Sequence, residues 1–289
     1  PEVAMTIAYL NGEYMPLEEA RISPMDRGFL FGDGIYEVIP SYDGKMVGFG
    51  PHIERMQDGL DEIEIQLGWS DEQWRELCIS LMEKNGNGNL GIYLHVTRGA
   101  DSKRHHAYPE GVTPTVFAYA FEIPPPPIPD REHIKPYTCS TGEDMRWDRC
   151  NIKSISLLGN VMHYQQGHSK GDGEILLFNH NNELTECGAC NAYIVKNGVV
   201  ATPPLDNQIL PGITRQLLLK ALLADGSIPV EERIISRDEV LDADEIWISS
   251  SSKEVVPVVK LDGEPVGDGK PGPVWEKAAK LYSAGKYDF

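Results

Sequence analysis

Apolar residues recur at helical spacing in several stretches of the chain. Ile53, Met56, Leu60, Ile63 and Leu67 predict an amphipathic helix over residues 52–67. A second stripe, Trp74, Leu77, Cys78, Leu81 and Met82, follows Ser70, whose hydroxyl suits an N-cap, with Asp71 and Glu72 in the first turn. Cys78 falls on that stripe and reads as core. Leu157, Leu158, Val161 and Met162 predict a helix after Lys153, with these residues as its apolar face. Leu217, Leu218, Ala221 and Leu222 predict another, opened by Leu210-Pro211-Gly212, and residues 273–284 a terminal one. A period of two appears where Ile92, Leu94 and Val96 alternate with Tyr93, His95 and Thr97, which predicts a strand over 91–99. Asn11-Gly12, Asp43-Gly44 and Asn197-Gly198 are hairpin dipeptides, since type I′ turns need positive φ. Residues 6–50 therefore read as β-rich, with further strands at 137–141, 175–179 and 245–248. The class is α+β.

The proline run from Pro124 to Pro129 interrupts this pattern. Proline gives a ladder no donor and keeps the chain stiff and extended. The expected organisation is a smaller N-terminal domain over 1–122, a linker over 123–129 and a larger C-terminal domain over 130–289. A length of 289 residues is enough to bury two cores. The formal net charge of -18 argues against nucleic acid as a partner, because phosphate contacts need clustered Lys and Arg. Five cysteines without a framework of spacings suit a reducing compartment, and the cytoplasm is the expected location. No stretch approaches the apolar length of a membrane helix, and the amino end lacks a signal-peptide pattern. Pro1 to Ala4 read as residues ahead of a natural start at Met5.

Four features carry candidate chemistry. Lys153 sits between a short extended run and a helical pattern. Glu186 follows a turn at Asn181-Asn182. Gly212-Ile213-Thr214 opens a helix, and Ser249 to Ser252 end a strand. A lysine amine, a carboxylate, a helix amino end and a hydroxyl cluster are what a pyridoxal phosphate site needs: lysine for a Schiff base, the carboxylate for the pyridinium nitrogen, N–H groups and hydroxyls for the phosphate. Two other patterns compete for notice. Adjacent His105 and His106 cannot easily face one ion and have no acidic cluster beside them, and Cys187-Gly188-Ala189-Cys190 stands between strands without two further ligands, so no metal site is expected.

In order and wording these features resemble the fold-type IV aminotransferases, over about residues 9–261. That family includes D-amino acid, branched-chain and (R)-selective amine transaminases and aminodeoxychorismate lyase. The resemblance implies a two-domain fold with the cofactor in a cleft between the domains, and a homodimer. It implies that Lys153 holds pyridoxal 5'-phosphate as a Schiff base and moves the proton at the substrate Cα, while Glu186 keeps the pyridine nitrogen protonated. Arg55, in a His-x-x-Arg pattern, Ile213, Thr214, Ser250 and Ser251 would hold the phosphate, with Ser250 and Ser251 also reaching substrate. Leu210 would pack on the ring, and Tyr36 would lie near the substrate.

The loop Ser102-Lys103-Arg104-His105-His106 resembles the Arg-x-His loop of D-amino acid aminotransferases. Arg104 and His106 would then bind the substrate α-carboxylate, in the same or the neighbouring subunit. His95 stands near the place where branched-chain members carry an arginine, which counts against that branch, and it is assigned to the substrate pocket. Cys187, Ala189 and Cys190 depart from the family's glycine and serines, so the hydroxyl contact supplied at Ala189 is called into question. The reaction implied is ping-pong transfer of an amino group between a D-amino acid, such as D-alanine or D-glutamate, and a 2-keto acid, pyruvate or 2-oxoglutarate. An (R)-selective amine:pyruvate transaminase is the nearest alternative. A branched-chain aminotransferase and aminodeoxychorismate lyase stand behind it.

Overall fold

All three hairpin dipeptides turn the chain where the sequence places them. Asn11 and Gly12 have φ of 48° and 98°, Asp43 and Gly44 50° and 80°, and Asn197 and Gly198 50° and 77°. These are the left-handed angles that a type I′ turn demands. The computed structural model describes residues 5–288, so the reading of Pro1 to Ala4 lies outside them. The chain forms two units, one of residues 1–125 with 152–157, the other of residues 126–151 with 158–289. The division falls within the proline run. The six residues around Lys153, however, pack with the first unit and not with the C-terminal half that surrounds them in sequence.

The first unit contains β1 (Ile7–Leu10), β2 (Glu13–Pro16), α1 (Arg27–Phe31), β3 (Gly34–Tyr42), β4 (Lys45–Met46), α2 (Phe49–Glu62), α3 (Asp71–Lys84), β5 (Leu90–Thr97) and β6 (Thr115–Glu122). Its strands form one antiparallel sheet in the order β2-β1-β6-β5-β3-β4. Alternation assigns Ile35, Ile39, Ile92, Leu94 and Val96 to one face, where they share a core with Ile53, Met56 and Leu60 of α2 and Trp74, Leu77 and Leu81 of α3. The opposite face carries Tyr36, Tyr93, His95, Phe117 and Tyr119, an aromatic row with ring centroids 5.3–6.3 Å apart. Ser70 and Gln73 form a capping box at the start of α3. Helix α2 begins three residues before the expected position, because Pro51 is tolerated in a first turn, and it ends before Glu64, whose φ is +59°. Ile63 and Leu67 therefore pack against the core from outside the helix.

The second unit contains β7 (Tyr137–Glu143), α4 (Leu158–Ser169), β8 (Glu174–Phe178), β9 (Leu184–Cys187), β10 (Asn191–Lys196), β11 (Val199–Thr202), α5 (Ile213–Asp225), β12 (Val230–Glu232), α6 (Arg237–Leu241), β13 (Glu245–Ser250), β14 (Glu254–Leu261), β15 (Glu264–Pro265) and α7 (Pro273–Gly285). Its sheet runs β12-β11-β10-β13-β14-β7-β8-β9, with β15 beside β14. The β7–β8, β7–β14 and β11–β12 pairs are parallel and the rest antiparallel. Helix α5 buries Leu217, Leu218, Ala221 and Leu222, as its periodicity predicts.

Helix α4 overturns one expectation. Leu158, Val161 and Met162 are 72%, 59% and 62% exposed, and the buried positions are His163 and Gly167. A Cβ at Gly167 would stand 3.0 Å from the carbonyl oxygen of Glu174, so the small residue is what lets α4 approach β8. The apolar stripe of this helix faces away from its own unit.

Candidate active site

Lys153 is held by backbone pairing beside β3. The N–H of Tyr36 donates to the carbonyl of Lys153 at 3.2 Å, and the N–H of Ile155 donates to that of Gly34 at 3.1 Å. Gly34 is needed for this approach: a Cβ there would meet the Val96 carbonyl oxygen at 2.4 Å and the Ile155 side chain at 2.9 Å. Ile152 is anchored in the core of the first unit. The Lys153 amine lies 4.3 Å from the centre of the Tyr36 ring, within cation–π range. Tyr36 pairs across the sheet with His95 and lies 5.8 Å from the Tyr93 ring, and the Tyr93 hydroxyl is 2.8 Å from Nδ1 of His95. Burial holds the His95 imidazole below its ordinary pKa against the pull of Asp26. Lys153, Tyr36 and His95 are thus one cluster.

Arg55 serves the other face of the same sheet. Its Nε and Nη2 donate to the two oxygens of Glu37 at 2.9 and 2.7 Å, a planar fork on a carboxylate. His52, one turn earlier on α2, completes the group with Nδ1 2.6 Å from Glu37. Burial lowers the His52 pKa against the pull of Glu37, and Nδ1–H is the donor because the carboxylate only accepts. Burial alone would raise the Glu37 carboxyl, but the Arg55 charge and the bonds from His52 and Arg55 hold it at about 2. Glu37 is a site residue the sequence reading missed. A charged residue at a core-facing position of a strand was the available signal.

In the second unit Glu186 is fully enclosed at the end of β9. Nη1 of Arg146 donates to its Oε2 at 2.7 Å, while the Asn191 amide at 3.0 Å and the Leu210 N–H at 3.1 Å donate to Oε1. Arg146 gives Nε and Nη2 to Asp144 at 3.0 and 2.8 Å. One guanidinium therefore serves two carboxylates. Burial prevails over Arg146 and raises the Glu186 carboxyl to about 7. Arg146, Asp144 and Asn191 were not singled out from sequence; Arg146 looked like a connecting residue before Lys153.

A pyridinium nitrogen fits this donor set. A carboxylate offers about four acceptor positions, and three are taken here, which leaves one on Oε2. The cluster also carries two carboxylates against one cation, so a further cationic N–H is favoured. A phosphate fits the start of α5 for a parallel reason. Gly212 caps that 13-residue helix without a side-chain bond, and Ile213 and Thr214 are buried with no hydrogen bond to their backbone N–H among the described residues. Such orphan donors, aided by the helix dipole, receive an anion. Leu210 lies beside Glu186 through its N–H, and its carbonyl accepts from Asn191 at 3.0 Å.

The remaining predicted residues lie in two other places. Ser250 accepts the N–H of Lys253 at 3.2 Å in the turn after β13, and Ser251 follows in that turn. Arg104 and His106 lie on the exposed loop after β5, against Phe31 at 4.9 and 5.3 Å. No contact joins them to Lys153. Cys187 and Cys190 close a tight turn, in which the N–H of Cys187 donates to the Cys190 carbonyl at 2.8 Å. Glu174 clamps the tip of that turn by accepting from the N–H groups of Gly188 and Ala189 at 2.9 and 3.1 Å. Burial, then the Glu174 charge, push both thiols up, away from the thiolate that redox or metal chemistry requires.

Comparison with known proteins agrees with this chemistry. The family described as amino-transferase class IV matches residues 34–261. A D-alanine aminotransferase of Staphylococcus haemolyticus is 41% identical over 279 residues, 93% of this chain and 94% of its own. Another, from Listeria monocytogenes, is 38% identical over 270 residues, 92% of this chain and 91% of its own. Among solved structures, the branched-chain amino acid aminotransferase of Escherichia coli superposes with a TM-score of 0.87, covering 97% of this chain and 94% of that one. At 24% identity this likeness speaks for the fold alone. A fold IV-transaminase from Curtobacterium pusillum gives 0.78 at 22% identity, covering 94% and 92%.

Proposed function

We infer the reaction from a family fact: this chain belongs to the class IV aminotransferases. It is a pyridoxal-phosphate-dependent aminotransferase of the fold-type IV architecture, and its substrates are a small amino donor and a keto-acid acceptor. The donor we assign is a D-amino acid, D-alanine or D-glutamate, with pyruvate or 2-oxoglutarate as acceptor in a ping-pong cycle. The observation that carries this choice is the match, near 40% identity over more than nine-tenths of both chains, to D-alanine aminotransferases. The branched-chain likeness is confined to the fold.

The cofactor, when bound, supplies an electrophilic carbonyl carbon and a ring that accepts electron density from the substrate Cα. Lys153 would be the covalent attachment point, and its amine would serve as the base that takes the proton from the substrate Cα. Tyr36 borders that amine and sets one wall of the path. Glu186 holds the ring nitrogen in its protonated form, with Arg146 and Asn191 fixing the carboxylate's direction. Ile213 and Thr214 offer N–H donors to the phosphate, and Arg55, oriented by Glu37, adds a cation for it, with Ser250 and Ser251 adding hydroxyls. Leu210, fixed beside Glu186 by its N–H, would pack on the ring. Arg104 and His106 receive the substrate carboxylate, and His95 lines the pocket.

A homodimer is part of this reading. The exposed stripe of Leu158, Val161 and Met162 on α4 is an apolar face without a cover in a single chain, and a second copy would bury it. No helix is long and apolar enough to cross a membrane among the described residues. Five thiols without a disulfide suit the cytoplasm, where we place the enzyme.

Arg104→Ala tests the carboxylate assignment. Loss of a charge-assisted contact costs roughly 2–4 kcal/mol, or about thirty- to a thousand-fold in kcat/KM for D-alanine. A neutral (R)-amine should lose far less. Equal losses on both would place Arg104 outside carboxylate recognition and leave the (R)-amine assignment standing.

A further inference from the structure

Arg27 spends every nitrogen of its guanidinium on the loop after β5 and its support. Nε donates to Asp33 at 2.9 Å, Nη1 donates to the carbonyl of His105, and Nη2 donates to that of His106 at 3.1 Å. The side chain is 4% exposed although it reaches an exposed loop. Asp33 is held in turn by Arg98, whose Nε and Nη2 donate to it at 2.7 and 3.1 Å. Arg98 also donates to the carbonyls of Ile63 and Glu64 at 2.7 and 3.2 Å, and it stacks on Tyr108 with Cζ 3.6 Å from the ring centre. The near end of the loop is tied by the Arg27 N–H, which donates to the Gly99 carbonyl at 2.9 Å, and by an Asp26–Ala100 bridge. Phe31 collects three side chains: Arg27 at 4.8 Å, Arg104 at 4.9 Å and His106 at 5.3 Å.

A loop exposed over residues 102–108 would ordinarily sample many conformations, and a carboxylate receptor built on it would lose affinity to that disorder. Here the two peptide groups that flank His106 are fixed by one buried guanidinium, and the side chains of Arg104 and His106 rest on one ring. We propose that Arg27 and Phe31 are positioning residues for substrate-carboxylate recognition: Arg27 fixes the backbone of His105 and His106, and Phe31 seats the Arg104 and His106 side chains. This rests on the reading of Arg104 as a carboxylate-binding residue. Asp33 and Arg98 form the second tier, holding Arg27 in plane. Lysine cannot replace Arg27, because its single ammonium lacks the planar fork that reaches three acceptors at once.

The test is a double-mutant cycle on the holoenzyme, read in KM and kcat for D-alanine. A displacement of about 1 Å in a positioning group can cost roughly a hundred-fold. Arg27→Lys is therefore expected to raise KM about ten- to a hundred-fold with kcat within about threefold, and Phe31→Leu to do the same if the lysine variant fails to fold. In an Arg104→Ala background either change should add less than about twofold, since the group being positioned is gone. An equal rise in KM in both backgrounds, or a fall in kcat with KM unchanged, overturns the positioning role. An unchanged KM in Arg104→Ala alone overturns the carboxylate reading beneath it. A raised KM there, beside an unchanged one in Arg27→Lys and Phe31→Leu, removes the positioning role and leaves that reading intact.

Discussion

Arg146 divides its guanidinium between Asp144 and Glu186, and that division sets the electrostatics around Glu186. Glu186 has the smaller share, so burial raises its carboxyl from an ordinary 4.5 to about 7. The folded chain then keeps a proton between roughly pH 4.5 and 7 that the unfolded chain has released. Stability contributed by this group falls as pH rises through that window, by on the order of 3 kcal/mol in total. The apoenzyme should accordingly lose Tm between pH 5 and 8 more steeply than a Glu186→Gln apoenzyme. Parallel slopes in thermal scans would contradict the assignment. Glu37 has the opposite sign. Its carboxyl is held at about 2, so its contribution is full above about pH 4.5 and is lost as pH falls toward 2. Lys153→Ala should abolish transamination and the cofactor's covalent absorption band together. Turnover retained in that variant would remove Lys153 from the chemistry.

Among the elements, helices α3 and α5 were legible because start and stripe agree: Ser70 with the Trp74 to Met82 stripe in one, Gly212 with the Leu217 to Leu222 stripe in the other. The hairpins were legible for the same local reason. Helix α4 was legible in place but not in orientation, because periodicity reports an apolar stripe and not what will cover it. Its inner face is set by Gly167 and His163, and a glycine's absent side chain leaves no hydrophobic signal. If the outer stripe is covered by a second copy, Met162→Glu should shift the protein from dimer toward monomer in sedimentation experiments. An unchanged dimer would put the interface elsewhere. On β3 the alternation that places Tyr36 and Glu37 on opposite faces could be read from sequence. The Glu37–Arg55 pairing could not, since it joins residues eighteen positions apart through tertiary packing.

At the scale of the whole molecule, the Lys153 segment belongs with the first unit while Glu186 and the start of α5 belong with the second. Linear reading put Lys153 with its sequence neighbours. The backbone bonds of Lys153 to Tyr36 and of Ile155 to Gly34 are long-range and leave no local mark. The reaction class was nonetheless legible, because the order of its motifs along the chain resembles the family. Arg146 and Asn191 were hidden because an arginine or asparagine acquires a role only through the carboxylate it meets. The most direct measurement of the central claim is the half-reaction spectrum of the purified holoenzyme mixed separately with D-alanine, L-alanine, L-leucine and (R)-1-phenylethylamine. D-alanine is expected to convert the bound cofactor to its amine form rapidly and L-alanine to leave it unchanged. Conversion by L-leucine or by the (R)-amine, with D-alanine inert, would contradict the D-amino acid assignment.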